Sequence, residues 1–361
     1  MLRRSFLHTA SAAALPLPQI AEATPVKLGF DTYSLRAFKW TAEQLLQYAA
    51  SQKLDTIQIS SLDDYASLEP SYLQKVKDLA ARLHIHIDGG TGCICPTSKS
   101  YPRSKPEPRE WILKGLRVAK AVGAKSMRCY LGAGPDREGA GIEPHMEATI
   151  KVFKSVRSEA QDLGVKIAIE NHNGDITARE TRTLIEESGK DFVGSNLDTG
   201  NPLWVAEDPM LTLEILAPYV VTTHIRDSLL FENPRGAAGQ WVVLGEGQID
   251  FVRFTELFRK WCPQASMQLE VITGRPPRVV PYLEESFWKL FPKMPAGDFA
   301  RFVALAKRGR PFMGTMVVED ASGAPKSPAY TEAMKEQQRI DLERSLEYAK
   351  KKMNVGVNWR A

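Results

Sequence analysis

The sequence has little of several features that mark well-known classes of protein. Its 361 residues carry 47 Lys and Arg against 43 Asp and Glu, a formal net charge of only +4, with both signs interspersed. A binder of nucleic acid or of an acidic membrane needs a concentrated positive field, so neither partner is predicted. No apolar run reaches the roughly 20 residues of a membrane-spanning helix, and no glycine-rich phosphate loop of the Walker type is present.

Cysteine is also scarce, with four residues at positions 93, 95, 129 and 262. Only one residue separates Cys93 from Cys95, which would strain a disulfide between them. The cysteines are therefore interpreted as packing residues, although an oxidising compartment would leave a disulfide open.

The first 23 residues resemble an export signal. Arg3 and Arg4 precede an apolar, Ala-rich stretch over residues 10–17, and residues 21–23 fit a small-residue cleavage site. This order is typical of a twin-arginine signal peptide, which predicts a periplasmic protein cut near Ala23. The alternative is a tail that begins with two arginines by chance.

After the signal, short β-branched runs alternate with longer amphipathic stretches. Eight such strand–helix units predict a parallel sheet closed into a (β/α)8 TIM barrel over residues 24–290, with its eighth helix over 282–290. An open doubly wound sheet would need a glycine-rich fingerprint after an early strand, and residues 30–34 have none. The predicted strands are 26–30, 56–60, 84–88, 125–131, 165–170, 192–197, 220–225 and 267–272.

The remaining segments complete the predicted organisation. A long loop is predicted over residues 227–248, between the seventh strand and the helix at 251–261. Residues 291–361 do not fit the repeat and are predicted to form a C-terminal extension with a long charged helix over 331–353. This extension could form either a lid over the barrel or a contact between copies of the chain, and a homo-oligomer is therefore one of the possible assemblies.

Four successive strands are predicted to end in residues that bind metal ions. The functional face of such a barrel is the C-terminal end of its strands, and neighbouring strands lie about 4.8 Å apart, so the side chains can converge. Each residue alone is more typical of a salt bridge, a cap or a core histidine, whereas the succession favours one metal site. Three carboxylates and one imidazole favour Mn²⁺ or Mg²⁺, with Zn²⁺ and Co²⁺ left open. The four residues are Glu170, Asp198, His224 and Glu270.

Four short motifs carry a resemblance to a known family. They are Glu-Asn-His at 170–172, Leu-Asp-Thr-Gly-Asn at 197–201, His-Ile-Arg-Asp at 224–227 and Leu-Gly-Glu-Gly-Gln-Ile-Asp at 244–250. Their order and spacing resemble the xylose isomerase-like TIM-barrel superfamily, specifically its sugar phosphate isomerase/epimerase branch. The resemblance covers residues 26–290 and not the extension.

The resemblance implies an activity and roles for individual residues. It implies that the four strand-end residues hold one divalent metal ion, and that Glu170 and Glu270 move a proton on and off the carbon next to a substrate carbonyl. Such proton transfer passes through an enediolate and amounts to isomerisation or epimerisation. Epimerases of this branch often carry a histidine three residues after the strand-six aspartate. This chain has Asn201 there, which puts any particular ketose epimerase in doubt.

Further residues are candidates for contact with a sugar. Alternation along a strand places His172 on the same side as Glu170, and Arg226 on the same side as His224. A tryptophan after strand six could stack on a sugar face, although rim packing is equally expected. The substrate-binding candidates are His172, Arg226, Asn201 and Trp204, with Asp31, Tyr33, His86 and Asp88 as weaker candidates at the rim.

The alternatives concern the substrate and the reaction. An exported enzyme is predicted to act on an unphosphorylated sugar, because phosphorylated sugars are cytoplasmic intermediates. A metal-dependent lyase or hydrolase acting on a 3-keto-glycoside would use the same residues, since β-elimination also begins with enolisation. An endonuclease-like hydrolase of the superfamily would need several more histidines than the six present. A non-catalytic sugar-binding protein would be expected to lack part of the ligand set.

Overall fold

The computed structural model describes residues 25–312, 318–319 and 325–361. The predicted export signal at residues 1–23 lies outside this range. Among the described residues, no helix has both the length and the apolar character that crossing a membrane requires.

Eight parallel strands form the centre of the fold: β1 (Leu28–Asp31), β2 (Thr56–Ile59), β3 (His86–Cys93), β4 (Ser126–Tyr130), β5 (Lys166–Glu170), β6 (Val193–Asp198), β7 (Val220–His224) and β10 (Met267–Leu269). Strand β10 pairs with β1 in parallel, and β1 to β7 follow in sequence order. A parallel bridge between Ile225 and Leu269 joins β7 to β10, and the Glu270 amide donates to the Ile225 carbonyl at 3.0 Å. The prediction of a TIM barrel is confirmed.

Strand β3 continues further than the sequence suggested. Its predicted end was residue 88, because the glycines that follow are typical of a loop, yet the strand runs to Cys93. A Cβ atom on Gly90 would lie 2.7 Å from Cα of Ser60 on the neighbouring chain segment. Glycine is therefore used here for close approach of two backbones rather than for a turn.

The helices between the barrel strands lie close to their predicted positions. The predicted helix ending at residue 163 is interrupted at Val156, whose φ of −117° and ψ of 11° are not helical. A reciprocal capping box starts the helix at residue 178, where Thr177 and Glu180 each accept the other's amide proton. The helices are α1 (Ala42–Ser51), α2 (Pro70–Arg82), α3 (Pro108–Ala121), α4 (Glu143–Ser155), α5 (Arg157–Leu163), α6 (Ala178–Ser188), α7 (Pro209–Leu216) and α8 (Phe251–Trp261).

A small antiparallel sheet replaces most of the long loop predicted at 227–248. Strands β8 (Asp227–Asn233) and β9 (Gly236–Val242) form a hairpin, and β11 (Arg278–Val280) pairs with β9. The prediction of a loop is wrong because much of this hairpin is buried, which removes the alternation of polar and apolar residues that marks a strand. Gly236 turns the hairpin with a φ of 143°, and a Cβ there would lie 2.5 Å from the Val280 carbonyl oxygen.

The described residues of the C-terminal part add three α-helices: α9 (Glu285–Leu290), α10 (Ala296–Arg308) and α11 (Pro328–Lys351). Helix α9 was predicted to be the eighth barrel helix, and this is wrong. Phe287 packs instead in a second apolar cluster with residues of the hairpin and α10. Leu342 and Leu346 of α11 are buried in the barrel's own core. Local periodicity shows that 282–290 is amphipathic, but it does not show which apolar surface the helix covers.

Helix α11 and the residues after it pack beside the β10–β1 pair, where the last strand of the barrel meets the first; we call this pair the seam of the barrel. The Ala37 amide donates to Gln338 at 3.0 Å, and Thr273 donates to Asp341 at 2.9 Å. The Gly356 amide donates to the Val26 carbonyl at 2.8 Å, next to β1. Helix α11 therefore covers the β10–β1 side of the barrel.

This packing predicts a large loss of stability on truncating Leu342. The side chain is fully buried, so Leu342→Ala is expected to lower the free energy of unfolding by about 2–5 kcal/mol. Ile340 lies on the same helix with 36% of its surface exposed, so Ile340→Ala is the matched control and is expected to change stability by about 0.5 kcal/mol or less. Equal losses in urea titrations of the two variants would contradict the assignment of α11 to the barrel core.

Candidate metal centre and substrate cavity

The four predicted ligands lie together at the C-terminal ends of the barrel strands. Each offers one nitrogen or oxygen atom, these atoms all lie within 4.8 Å of one another, and all four residues are buried. Register explains the convergence, since the last residues of β6 and β7 are direct partners. We call these four residues the strand-end cluster: Glu170, Asp198, His224 and Glu270.

The imidazole of His224 has a defined orientation. Its Nε2 lies 2.5 Å from the Gln58 side-chain oxygen, which can only accept, so Nε2 carries a proton. Nδ1 faces Glu170 and Glu270 at 3.3 Å each and Asp198 at 3.8 Å. Burial opposes protonation of the ring, but the carboxylates of Glu270 and Glu170 outweigh it and raise the pKa of His224 well above its usual value, so Nδ1 also carries a proton until a metal ion takes its place. The hydrogen bond from Nε2 to Gln58 then keeps the ring oriented with Nδ1 towards the metal.

The contacts within the strand-end cluster fit a bound cation. A ring nitrogen that faces three carboxylates shares a cation with them, either a proton or a metal ion, because their charge would repel an unshared lone pair. Oε2 of Glu270 is buried and accepts no hydrogen bond of good geometry among the described residues. A carboxylate oxygen in that state is typical of a metal ligand. These four side chains could hold one divalent ion.

Two buried arginines stand beside the strand-end cluster. Arg128, on β4, donates from Nε to Glu170 at 2.6 Å. Arg226 donates from Nε to Asp198 at 3.1 Å, and its Nη2 lies 2.7 Å from Glu270. Three buried carboxylates therefore face two fixed positive charges before any ion binds.

These charges shift the titration of the strand-end cluster. Burial disfavours the charged form of Glu270, but Arg226 and His224 outweigh it and lower its pKa to about 2. Burial likewise opposes ionisation of Glu170, and Arg128 and His224 hold its pKa well below the usual range. Both glutamates are therefore ionised at neutral pH.

A cavity of about 730 Å³ opens directly above the strand-end cluster, with Glu270 in its wall. This volume is within the range of roughly 300–1,000 Å³ that is usual for small-molecule sites. All four substrate-binding candidates line it, namely His172, Asn201, Trp204 and Arg226.

The individual contacts suit polar recognition. His172 stacks on Tyr130 with ring centroids 3.9 Å apart, and its Nδ1 lies 2.7 Å from the Gly132 carbonyl, which makes Nδ1 the donor. Asn201 donates to Glu170 at 3.1 Å, while its buried oxygen has no partner among the described residues. An acceptor of this kind can receive a hydrogen bond from a substrate hydroxyl.

The weaker rim candidates divide into two groups. Tyr33 lines the cavity, whereas Asp31 lies below it with Oδ2 3.4 Å from Nε2 of His224. His86 and Asp88 are not at the rim, because β3 continues to Cys93 and places both of them near its start. Asp88 instead accepts from Gln268 at 2.9 Å inside the barrel.

A comparison with protein families agrees with this geometry. Residues 46–277 match the family model described as xylose isomerase-like TIM barrel. The chain belongs to this family.

Two curated proteins are similar to this chain in sequence, and their names differ. The Escherichia coli K12 protein YihM, described as uncharacterized, is 27% identical over 57% of this chain. The matched region spans 59% of that relative, less than two thirds of its length. A protein of Pectobacterium atrosepticum named 3-oxo-isoapionate decarboxylase is 22% identical over 62% of this chain and 78% of its own.

Solved structures of sugar epimerases share the fold. A D-psicose 3-epimerase structure superposes with a TM-score of 0.56 at 14% identity, covering 91% of this chain and 99% of the other. The 3-keto-D-glucoside 4-epimerase YcjR of E. coli gives a TM-score of 0.54 at 16% identity, covering 74% of this chain and 98% of the other. At these identities the likeness shows the xylose isomerase-like fold alone.

Several residues of this family member's site were not predicted from the sequence. Gln58 and Arg128 are polar residues within apolar strand segments, and a buried polar side chain on a barrel strand signals a partner inside the barrel. A polar residue inside an apolar strand could therefore have identified both Gln58 and Arg128 from the sequence. Trp241 and Arg278 lie on the small antiparallel sheet, and their place in the cavity wall depends on how the hairpin folds over the barrel.

The contact between Gln58 and His224 leads to a testable expectation. Gln58→Leu removes the acceptor that fixes the imidazole tautomer, so affinity for Mn²⁺ is expected to fall by about 10- to 100-fold. Gln58→Glu keeps an acceptor oxygen and is the conservative control. Titration of the metal-free protein with Mn²⁺, followed by calorimetry, measures both. Unchanged affinity in the leucine variant would show that His224 does not depend on this bond.

Proposed function

We propose that this chain is a divalent-metal-dependent isomerase or epimerase of an unphosphorylated sugar or keto-sugar. The observation that carries the proposal is the strand-end cluster, in which two ionised glutamates each lie 3.3 Å from Nδ1 of His224 at the floor of a cavity. The family match and the epimerase fold of the neighbours support it.

The chain's own residues can carry out proton transfer at carbon. Glu270 is ionised, and Oε2 of its side chain accepts no hydrogen bond of good geometry, so it can take a proton from the carbon next to a carbonyl. Glu170, on another strand of the barrel, can return a proton from a different direction, which inverts or moves the stereocentre. Asn201 and His172 are placed to hold substrate hydroxyls, and the Arg128–Glu170 ion pair keeps the second carboxylate in position.

The donor set indicates which metal would suit the site. Three carboxylates and one imidazole favour Mn²⁺ or Mg²⁺, and Zn²⁺ and Co²⁺ remain alternatives that metal analysis would separate. A divalent ion held there would polarise the substrate carbonyl and stabilise the negative charge of an enediolate.

A lyase is the second candidate, and a specific similarity favours it. The relative from P. atrosepticum is named a decarboxylase of a 3-oxo sugar acid, and loss of CO₂ next to a carbonyl also leaves an enolate. A lyase or hydrolase acting on a 3-keto-glycoside would pass through the same charge distribution. The same residues of this chain would therefore serve, and only the products differ.

Proton exchange in D₂O tests the proposal directly. The Mn²⁺-loaded protein is incubated with D-fructose, D-tagatose, a methyl 3-keto-glucoside and the keto acids D-fructuronate and 5-keto-D-gluconate, and deuterium uptake is followed by NMR. Uptake at the carbon next to the carbonyl, with a new epimer or isomer, is the expected result. Release of methanol from the methyl 3-keto-glucoside would favour the lyase instead. No uptake on any member of the panel would overturn the proposal.

We also propose that the protein is exported by the twin-arginine route. The order of Arg3, Arg4, the apolar stretch and the small-residue site at 21–23 supports this. In cell fractionation, the double variant Arg3→Lys, Arg4→Lys is expected to accumulate at full length in the cytoplasm. Periplasmic protein in undiminished amount would contradict twin-arginine export.

A further inference from the structure

The cavity above the strand-end cluster is lined by an excess of positive charge. Four arginines contribute to its wall, and Glu270 is the one acidic residue among the described residues that line it. A cavity wall of one sign concentrates ligands of the opposite sign. The four arginines are Arg128, Arg226, Arg275 and Arg278.

Charge at the floor does not cancel this excess once an ion is bound. Arg128 is paired with Glu170, and Arg226 with Asp198 and Glu270, all of them buried. With a divalent ion in place, the two guanidiniums and the ion balance the formal charge of the four buried carboxylates, Asp31 included. Without the two buried arginines the loaded floor would be negative and would repel an anion.

Arg278 supplies positive charge at the mouth of the cavity. Its Nη1 donates to the Asn173 side-chain oxygen at 2.8 Å, and its guanidinium lies 4.8 Å from the ring centre of Trp204. It forms no ion pair with any carboxylate in residues 25–312, 318–319 and 325–361. A neutral amide and an aromatic face orient the guanidinium without neutralising it. Its remaining donors are therefore available to an anion.

We propose that the substrate is an anionic sugar, with a carboxylate group that Arg278 binds at the cavity mouth while the keto end lies on the strand-end cluster. The proposal rests on the proposed function and adds the substrate class to it. Arg278 acts here as a specificity-determining residue and takes no part in the proton transfer.

A matched pair of ligands isolates the contribution of the anion. D-Gluconate and D-glucitol have the same carbon chain and differ at one end, where a carboxylate replaces a hydroxymethyl group. Their binding to the Mn²⁺-loaded protein is measured by calorimetry, with D-glucitol 6-phosphate as the phosphate arm. D-Gluconate is expected to bind about tenfold more tightly than D-glucitol, since a hydrogen bond to a charged group contributes that much. Tighter binding of D-glucitol 6-phosphate than of D-gluconate would contradict the carboxylate assignment.

Arg278→Gln is the decisive variant. It is expected to reduce the ratio of the affinities for D-gluconate and D-glucitol to roughly twofold or less. Arg235→Gln is the control, because Arg235 is an exposed arginine on the hairpin turn, paired with Glu284 outside the cavity. It should leave the preference intact.

Three further results would overturn the inference. They are equal affinity for D-gluconate, D-glucitol 6-phosphate and D-glucitol, no binding of either anion at millimolar concentration, and a preference that Arg278→Gln leaves unchanged. The last would place the carboxylate on the metal ion instead. Failure of the proposed function is detected separately, as absence of Mn²⁺ binding or of deuterium uptake. Uptake on the neutral keto-sugars alone would leave that function standing while rejecting an anionic substrate.

Discussion

Glu270→Gln is expected to lower the rate of deuterium uptake by about a thousandfold or more, because it removes a proton-transferring carboxylate and a charged ligand in one change. The variant should still fold. The backbone bond from the Glu270 amide to Ile225 does not involve the side chain, and glutamine has almost the same shape. The rate is measured by NMR on whichever keto-sugar the wild-type protein exchanges.

Glu284→Gln is the control for this experiment. Glu284 is paired with Arg235 on the hairpin side of the molecule and does not line the cavity, so its variant should exchange at the wild-type rate. Circular dichroism melting curves of both variants separate loss of chemistry from loss of fold. A Glu270→Gln protein that retains more than about a tenth of the wild-type rate would exclude Glu270 as the base.

Asp198→Asn is expected to abolish the stabilisation that Mn²⁺ gives to the wild-type protein. An ion present at roughly 100 times its Kd adds about 2.7 kcal/mol to the free energy of unfolding of a protein that binds it only when folded. In asparagine the side-chain oxygen can still accept from the amides of Gly200 and Asn201, which lie 2.7 and 2.8 Å from Oδ1 of Asp198. The loop after β6 should therefore keep its shape while the site loses one negative ligand.

Thermal melting with and without Mn²⁺ measures this effect. The wild-type Tm should rise by several degrees and that of Asp198→Asn should not move. Asp208→Asn is a suitable control, because Asp208 caps α7 and pairs with Arg301 away from the cavity. Equal shifts in wild type and Asp198→Asn would place the Mn²⁺ site elsewhere.

The barrel could be predicted from the sequence because its signal is local. Each strand is a short run of buried residues. Glu170 and Asp198 could be predicted as site residues because each is the last residue of such a run. The C-terminal ends of parallel strands lie at the same face of the barrel. The side chains at the ends of four successive strands are therefore expected to lie close together, even when no contact between them is known.

The rest depends on contacts that span long distances in the chain. Arg278 reaches the cavity because β11 pairs with β9, and nothing within 278–280 encodes that partner. Helix α11 packs on the barrel while α9 packs in the second apolar cluster, and the sequence of neither helix specifies its partner.

The seam of the barrel has a consequence for synthesis of the protein. Strand β1 is among the first structured segments to leave the ribosome, yet Val26 is held by Gly356, and Asp55 accepts from the amides of Val357 and Asn358. Helix α11, which covers the same side, is also made late. The packing around β1 can therefore be completed only after residues 328–358 have been made. Until then we expect the nascent chain to expose apolar surface beside β1, and exposed surface of this kind is what chaperones bind.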